Sequence, residues 1–500
     1  MAQTVAPRLG EGQQVTSHFF IVSLILTMNT PHSRWLMLCI ILTAPLLYVV
    51  DIFIVNMAIP VIKQKLNASQ SDIQLVIAGY LLGSACCLIP AARAGDYLGR
   101  KKVLYWGMFA FTITSCFCGM SQTPTALNIA RFFQGISSAF MVTQSLSLIQ
   151  ELFPQPADRA KAIGWYGMTL SIAAIIGQIL GGYFAELEFT IPGWRLIFLI
   201  NGPLGLASMW AIDKWVGESC KLPIKKFDVA GTVMLTLAIG SLIYALTAGR
   251  EAGWAAWSSL VIIFGAVMLA AFFWYQYFKI SRNEEPLMDV RIFRQRQFLI
   301  GLGAVLFHFM VHTSYLLMIA VYLQSGLGIS AFTCGAYFIP HALLFMLSSF
   351  LASKQLMRFG KNVLLAGSLI IMTSFILHIF LLHHAAALTI ISLIGLYGLG
   401  NGLVLPFLLN VVLDEVPTSD AGITSGIFST FQQIASALGI GIIGGVFYES
   451  LTGNALADYK IALDNGLIVG LAFLVIVFCL LGLTKGTRGR ELAPRKKSDF

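Results

Sequence analysis

Residues 36–60 read Leu36-Met-Leu-Cys-Ile-Ile-Leu-Thr-Ala-Pro-Leu-Leu-Tyr-Val-Val-Asp51-Ile-Phe-Ile-Val-Asn56-Met-Ala-Ile-Pro60. An apolar run needs about twenty residues to cross the hydrocarbon of a bilayer as a helix, and this one is longer, with a single charge inside it. The pattern recurs to the C-terminus. Between charged or turn-rich breaks, further apolar runs occupy 73–92, 103–121, 126–149, 161–184, 195–216, 229–248, 257–279, 298–322, 331–353, 362–382, 386–412, 424–448 and 466–484, which predicts fourteen spans. Phe19–Met28 is apolar too, but ten residues are too few to span. No small-residue cleavage site follows it, so a cleaved signal is not expected.

The composition agrees. Of 500 residues, 57% are hydrophobic and 11% charged, with a mean hydropathy of +0.80, whereas about 25% charged is usual for soluble chains. A soluble monomer is excluded. The net charge of +9 would suit a nucleic-acid partner only if it formed a basic patch on a folded domain, and the spans leave no room for one. No nucleic-acid partner is expected. The basic residues instead sort by side of the membrane: with both termini cytoplasmic, 26 of the 32 Lys and Arg lie in cytoplasmic segments, five in outward loops, and Arg131 inside a span. Asp414–Asp420 dissents, with acids and no base. The eight cysteines sit mostly in or beside apolar runs and form neither a disulfide framework nor a zinc spacing.

An internal repeat is faintly visible. Arg93-Ala-Gly-Asp-Tyr-Leu-Gly-Arg-Lys-Lys102 follows the second span and Leu356-Met-Arg-Phe-Gly-Lys-Asn362 follows the tenth. If these turns correspond, the chain divides into an N-terminal segment (1–35), a six-helix half (36–216), a two-helix insertion with its loops (217–297), a second six-helix half (298–484) and a basic tail (485–500). Paired halves of this kind are a transporter architecture.

Four groups of residues carry candidate chemistry. A carboxylate near mid-membrane costs about 2.5 to 3.5 kcal/mol on insertion scales and is kept mostly where it faces a cavity or partner. Asp51 is the one acid deep inside the predicted spans, so it is the leading candidate for binding a proton, a substrate cation or both. Asn56, five residues on, need not share its face. Arg131, in Leu127-Asn-Ile-Ala-Arg-Phe-Phe-Gln134-Gly135, needs an acceptor or water, and Gln134 shares its face. His308 and His312 lie one turn apart on one face, and His341 sits within span ten. They could relay protons or pack through hydrogen bonds; no HExxH pattern or third metal ligand accompanies them. Gln432 and Gln433 are the polar pair of span thirteen.

The turn Gly95-Asp96-Tyr97-Leu98-Gly99-Arg100-Lys101-Lys102 resembles the loop signature G-x-L-x-D-R-x-G-R-[RK] of the major facilitator superfamily. The chain is identified on this motif as a member, within the fourteen-span drug:proton antiporter branch of the EmrB/QacA type. Further matches are the surroundings of Asp51, the L-x-x-x-R-x-x-Q-G pattern of span four, Trp194-Arg195 through Asn201-Gly-Pro203, and the segment from Val416 to Gly439. Gly177-Gln178-Ile-Leu-Gly181-Gly182 stands where the antiporter signature is G-P-x-x-G-G, with Gln178 in place of proline.

The resemblance implies an all-α membrane protein with the major facilitator fold, two six-helix halves and two inserted central helices. Gly95, Asp96, Gly99, Arg100 and Lys101 would latch the cytoplasmic side of the halves, and Arg131 would take part in proton coupling. Function would be proton-coupled efflux of lipophilic, cationic drugs or toxic compounds from a bacterium by alternating access, without a cofactor or enzyme chemistry. The implied partners are a small-molecule substrate, protons and the lipid bilayer, with a periplasmic adaptor of unknown identity left open. A metabolite, siderophore or amino-acid exporter or importer fits the same scaffold. A non-transporting sensor or enzyme would need a catalytic cluster or soluble module, and none is legible. No Walker motif appears, so an ion gradient would supply the energy.

Overall fold

The computed structural model describes residues 31–187, 191–218, 228–251, 255–282, 284, 286–287, 290–382, 386–413, 421–453 and 455–484. Phe19–Met28, the Asp414–Asp420 loop and the basic tail lie outside the described residues, as do Cys220 and the side chain of Asp96. The described chain is helical: α1 (Pro31–Ile41), α2 (Thr43–Leu66), α3 (Gln70–Leu98), α4 (Arg100–Met120), α5 (Pro124–Leu152), α6 (Pro156–Glu186), α7 (Gly193–Leu199), α8 (Asn201–Trp215), α9 (Val229–Glu251), α10 (Ala256–Ser281), α11 (Arg296–Val321), α12 (Ala331–Tyr337), α13 (Ile339–Phe359), α14 (Asn362–Leu381), α15 (Ala387–Val404), α16 (Leu408–Leu413), α17 (Ala421–Glu449) and α18 (Leu456–Leu483).

Among the described residues, thirteen segments are long and apolar enough to cross a membrane, and α9 contributes a shorter apolar stretch, Val229–Leu242. Together they follow the predicted order of fourteen. Spans one, six, ten and twelve are each interrupted, at Leu42, Ile200, Phe338 and Leu405–Phe407 respectively. Helical spans suit this composition because each backbone donor and acceptor is satisfied within its own segment, which lipid cannot do.

The helix ends explain the turns. Ser69 caps α3 by accepting from Asp72 N while the Asp72 carboxylate accepts from Ser69 N, a reciprocal capping box. At the other end of α3 the expected loop is far shorter than its sequence suggests. Gly95, Asp96, Tyr97 and Leu98 are still helical, and the reversal into α4 is made by Gly99 alone, at φ 100° and ψ 129°, a conformation open to glycine. Gly95 serves packing instead: a Cβ there would collide with the side-chain amide of Gln144.

The first six spans pack through α3 on α5, α4 on α5 and α2 on α6, and the last six through α11 on α17, α13 on α15 and α14 on α15. Two larger contacts join these sets, beside smaller ones of α2 with α11 and α12 and of α6 with α13. One is α3 with α17. The other is α6 with α12, where a Cβ on Gly182 would strike Ala331 and one on Gly335 would strike the backbone of Gln178. The amide of Phe332 donates to Glu186 Oε1 at 2.7 Å beside them. Farther along, α6 also touches α13, but Gly164 and Gly167 face open space, and Trp165, Met168 and Ile172 on α6 are exposed, as are Leu343, Met346, Leu347 and Phe350 on α13.

The inserted helices α9 and α10 pack on each other, and α9 also lies against both α3 and α17. They hold a buried polar cluster that the sequence reading missed. Asp228 accepts from Gln276 Nε2 at 2.8 Å and from Gly231 N at 3.0 Å, and Lys279 Nζ lies 3.4 Å from its carboxylate. Gln276 in turn accepts from Leu287 N at 2.7 Å. Lys279, counted above as a loop charge, is therefore a buried partner at the end of a span. Removing one member of a buried ion pair costs about 3 to 5 kcal/mol. Lys279→Met should lower the melting temperature of the detergent-solubilised protein far more than Asp228→Asn/Lys279→Met combined. Equal losses in the single and double variants would show that the pair does not hold the insertion.

Candidate membrane-embedded polar site

Span one carries Asp51 into the interior of the first six helices, where it is fully buried. Two other helices reach it. From α5, Arg131 makes an ion pair through Nη1 with Asp51 Oδ2, and Gln134 Nε2 donates to Asp51 Oδ1 at 2.8 Å. From α8, Asn201 Nδ2 donates to Asp51 Oδ1 at 3.3 Å and to Ser115 Oγ at 2.9 Å. The sequence reading left open a direct pairing of Asp51 with Arg131; the structure makes it, across eighty residues of chain.

Arg131 is itself enclosed. Nε donates to Val76 O at 3.0 Å and Nη1 to Gln134 Oε1 at 2.8 Å. Its guanidinium carbon lies 4.2 Å from the ring centroid of Tyr80, close enough for a cation–π attraction. Close approach of α3 and α5 makes this reach possible: a Cβ on Gly135 would run into the backbone of Tyr80. Gln134 Oε1 also lies 3.3 Å from Cys118 Sγ. The carboxylate thus receives one guanidinium and two amide donors in a fully buried position. Such a site can exchange an internal ion pair for a bound proton or an external cation, because a neutral Asp51 no longer holds Arg131.

The other expected residues are placed as follows. Gly177 and Gly181 lie against α2 beside Val50, Phe53 and Ile54, while Gly182 and the Gln178 backbone form the α6–α12 contact. Gln178 Oε1 is buried without a hydrogen-bond partner, as is Asn56 Oδ1, and Asn56 is not part of the Asp51 cluster. Arg100 Nη1 donates to Ser147 O at 2.9 Å and lies 3.4 Å from Glu151, and Lys101 Nζ donates to Asp213 O at 2.9 Å. Both contacts lie within the first six spans. Gln433 Nε2 donates to Tyr48 OH, tying α17 to α2 across the halves; Gln432 is half-buried.

His308, His312 and His341 gather in the last six spans, apart from Asp51. His308 Nε2 donates to Asn401 Oδ1 at 2.8 Å, Asn401 Nδ2 donates to His312 Nδ1 at 3.1 Å, and Tyr397 OH lies 2.9 Å from the same nitrogen. His341 stacks near His312 and Tyr397 with ring centroids 6.4 and 5.6 Å away. Asn201, Tyr80, Asn401 and Tyr397 were not singled out as site residues. Asn201 was legible only as part of the opening of span six, although an amide in so apolar a run is a signal of its own.

Comparison with known proteins agrees with this architecture. The family model described as Major Facilitator Superfamily matches residues 33–219 and 229–440. A Streptomyces coelicolor protein named "Probable actinorhodin transporter" is 31% identical over 431 residues, covering 85% of this chain and 74% of the relative. The tetracenomycin C resistance and export protein of Streptomyces glaucescens is 28% identical over 428 residues, covering 85% and 78%. Among solved structures, a bacterial homologue of the human lysosomal transporter Spinster, inward-facing and occupied, superposes with a TM-score of 0.65 at 16% identity, covering 91% of this chain and 97% of that one. With the helix order, the paired helix sets and a match over most of its length, this multi-pass membrane chain is a transporter, not an enzyme, and belongs to the Major Facilitator Superfamily.

Proposed function

We propose that the protein is a proton-coupled exporter of lipophilic, cationic small molecules, of the fourteen-span antiporter type, in the cytoplasmic membrane of a bacterium. The observation that carries this reading is the fully buried Asp51 held by Arg131, Gln134 and Asn201. A buried ion pair contributes little net stability compared with apolar packing, so its presence favours a role in which the pair opens. Protonation of Asp51 removes the attraction for Arg131, and a substrate cation competes for the same carboxylate. Competition of this kind couples the two flows without contact between proton and substrate. Relatives named for transport of or resistance to antibiotics support export as the direction. The tight α6–α12 contact, with the side chains farther along α6 and α13 left exposed, supports alternating access with the Glu186 end closed.

Two measurements test the reading. Cells expressing the protein should extrude ethidium, and a protonophore should bring extrusion down to the level of cells lacking it; extrusion that survives the protonophore removes the proton from the mechanism. Reporter fusions after residue 225, after residue 290 and at the C-terminus should all report cytoplasm, following the distribution of basic residues. A C-terminus outside would break the paired-halves arrangement.

A further inference from the structure

We infer that the imidazole cluster of the last six spans, centred on His312 and His341, is a second proton-binding site, the counterpart in that half of the Asp51 site. The inference rests on the proton-coupled reading above. Its first support is position. Asp51 lies in span one, forty-eight residues before Gly99, and His312 lies in span nine, forty-eight residues before Gly360; both glycines have positive φ and end the following span. Asp51 is held by Arg131 and Gln134 in span four, and His308 and His312 are bonded to Tyr397 and Asn401 in span twelve. Each half therefore joins its first span to its fourth through a titratable group and an amide.

The second support is an imbalance of donors and acceptors. Because Asn401 Oδ1 can only accept, His308 donates from Nε2, and its Nδ1 is left as a bare buried acceptor without a partner. Both ring nitrogens of His341 are buried and unpartnered. His378 is the contrast: it bonds Tyr315 OH through Nε2 at 3.1 Å and Ser374 O through Nδ1 at 2.7 Å, and is fully satisfied. Unpaired buried groups cost about 1 to 3 kcal/mol each, so two such imidazoles, each beside His312, call for a ligand.

The ligand that fits is a proton. Among the described residues no group of three His, Cys, Asp or Glu is placed to hold a metal ion. A proton added at His341 makes an imidazolium whose ring lies 5.6 Å from Tyr397, an aromatic face that favours a cation. His312, half-buried where the other two are buried, is the entry to the cluster. The titratable groups facing it are His308 on its own helix, His341 on α13 and Tyr397 on α15; Tyr397 stacks in turn on Tyr315, which meets His378 on α14, and α17 and α18 present Phe428 and Phe473 to α11.

Two arms test it. In proteoliposomes with ¹⁵N-histidine, solid-state NMR should show an imidazolium forming between about pH 5 and pH 8 whose signal disappears in His312→Gln and in His341→Phe, the second of which keeps the ring stack. If every imidazole of this cluster stays neutral over that range, the site does not exist. The second arm follows ethidium uptake into proteoliposomes driven by a pH gradient or by a potassium-diffusion potential. Two protons exchanged for one monovalent cation move net charge, and one proton does not. Wild type should respond to both gradients, His312→Gln to the pH gradient alone, and Asp51→Asn to neither. A wild type that uses the pH gradient and ignores the potential overturns the second site while leaving proton coupling intact, as does a His312→Gln protein that keeps its response to potential. A wild type that ignores both gradients overturns proton coupling itself, and the NMR arm still decides the imidazoles.

Discussion

Asp51→Asn is expected to reduce proton-driven ethidium accumulation in inside-out vesicles to the level of empty vesicles, while the protein inserts and folds. The side chain keeps its shape but loses the charge that Arg131, Gln134 and Asn201 all address. With no ionisable oxygen at this position, proton and cation have nothing to compete for, and the linkage between their gradients disappears. Downhill movement of neutral compounds should be affected least. The substitution also strands a buried guanidinium, which costs about 3 to 5 kcal/mol. Asp51→Asn/Arg131→Gln should therefore be more heat-stable in detergent than Asp51→Asn, yet equally inactive. Uphill export of cations by either variant under a pH gradient would move coupling away from this carboxylate.

The second large effect is expected at Gly182. A side chain there would meet the backbone of Ala331 and Phe332 with no flexible atom to give way. Overpacking of this kind costs about 1 to 3 kcal/mol, and the penalty falls only on the state in which α6 and α12 touch. Gly182→Val should thus shift the closed-to-open ratio at the Glu186 end by roughly one to two powers of ten and stop transport. Maleimide labelling of Cys334, kept as the sole cysteine, reads the shift directly, since Cys334 is fully buried beside the packing of Gly335 on Gln178 in the closed contact. Unchanged labelling together with normal transport would mean that this contact is not a gate.

The number and order of the spans were legible because crossing lipid leaves a long, unmistakable apolar run, repeated here with little else between. Asp51 and Arg131 were legible for the complementary reason: a charge in such a run is expensive enough to be noticed. Their partnership was not, since eighty residues separate them and pairing depends on how α2, α3 and α5 are stacked. Gly95 illustrates a second limit. Its motif reads as a loop, yet the helix persists to Leu98 and the residue is needed for clearance against Gln144. Asp228 and Lys279 escaped notice because charges near span ends are ordinary where water begins; only packing of α9 on α10 shows that both are buried.

The position of α9 carries a consequence for how a lipophilic compound meets this protein. Lying against α3 and α17 together, α9 covers one of the two seams between the halves, and Cys86 on α3 lies 3.9 Å from the carbonyl of Thr236 across that cover. Among the described residues the opposite seam has no such cover where Trp165 and Met168 on α6 and Met346 and Phe350 on α13 stand exposed. The two flanks of the molecule are therefore unequal toward lipid. Seen from the acyl chains, one flank presents apolar side chains of both helix sets side by side, and the other presents the inserted helix between them.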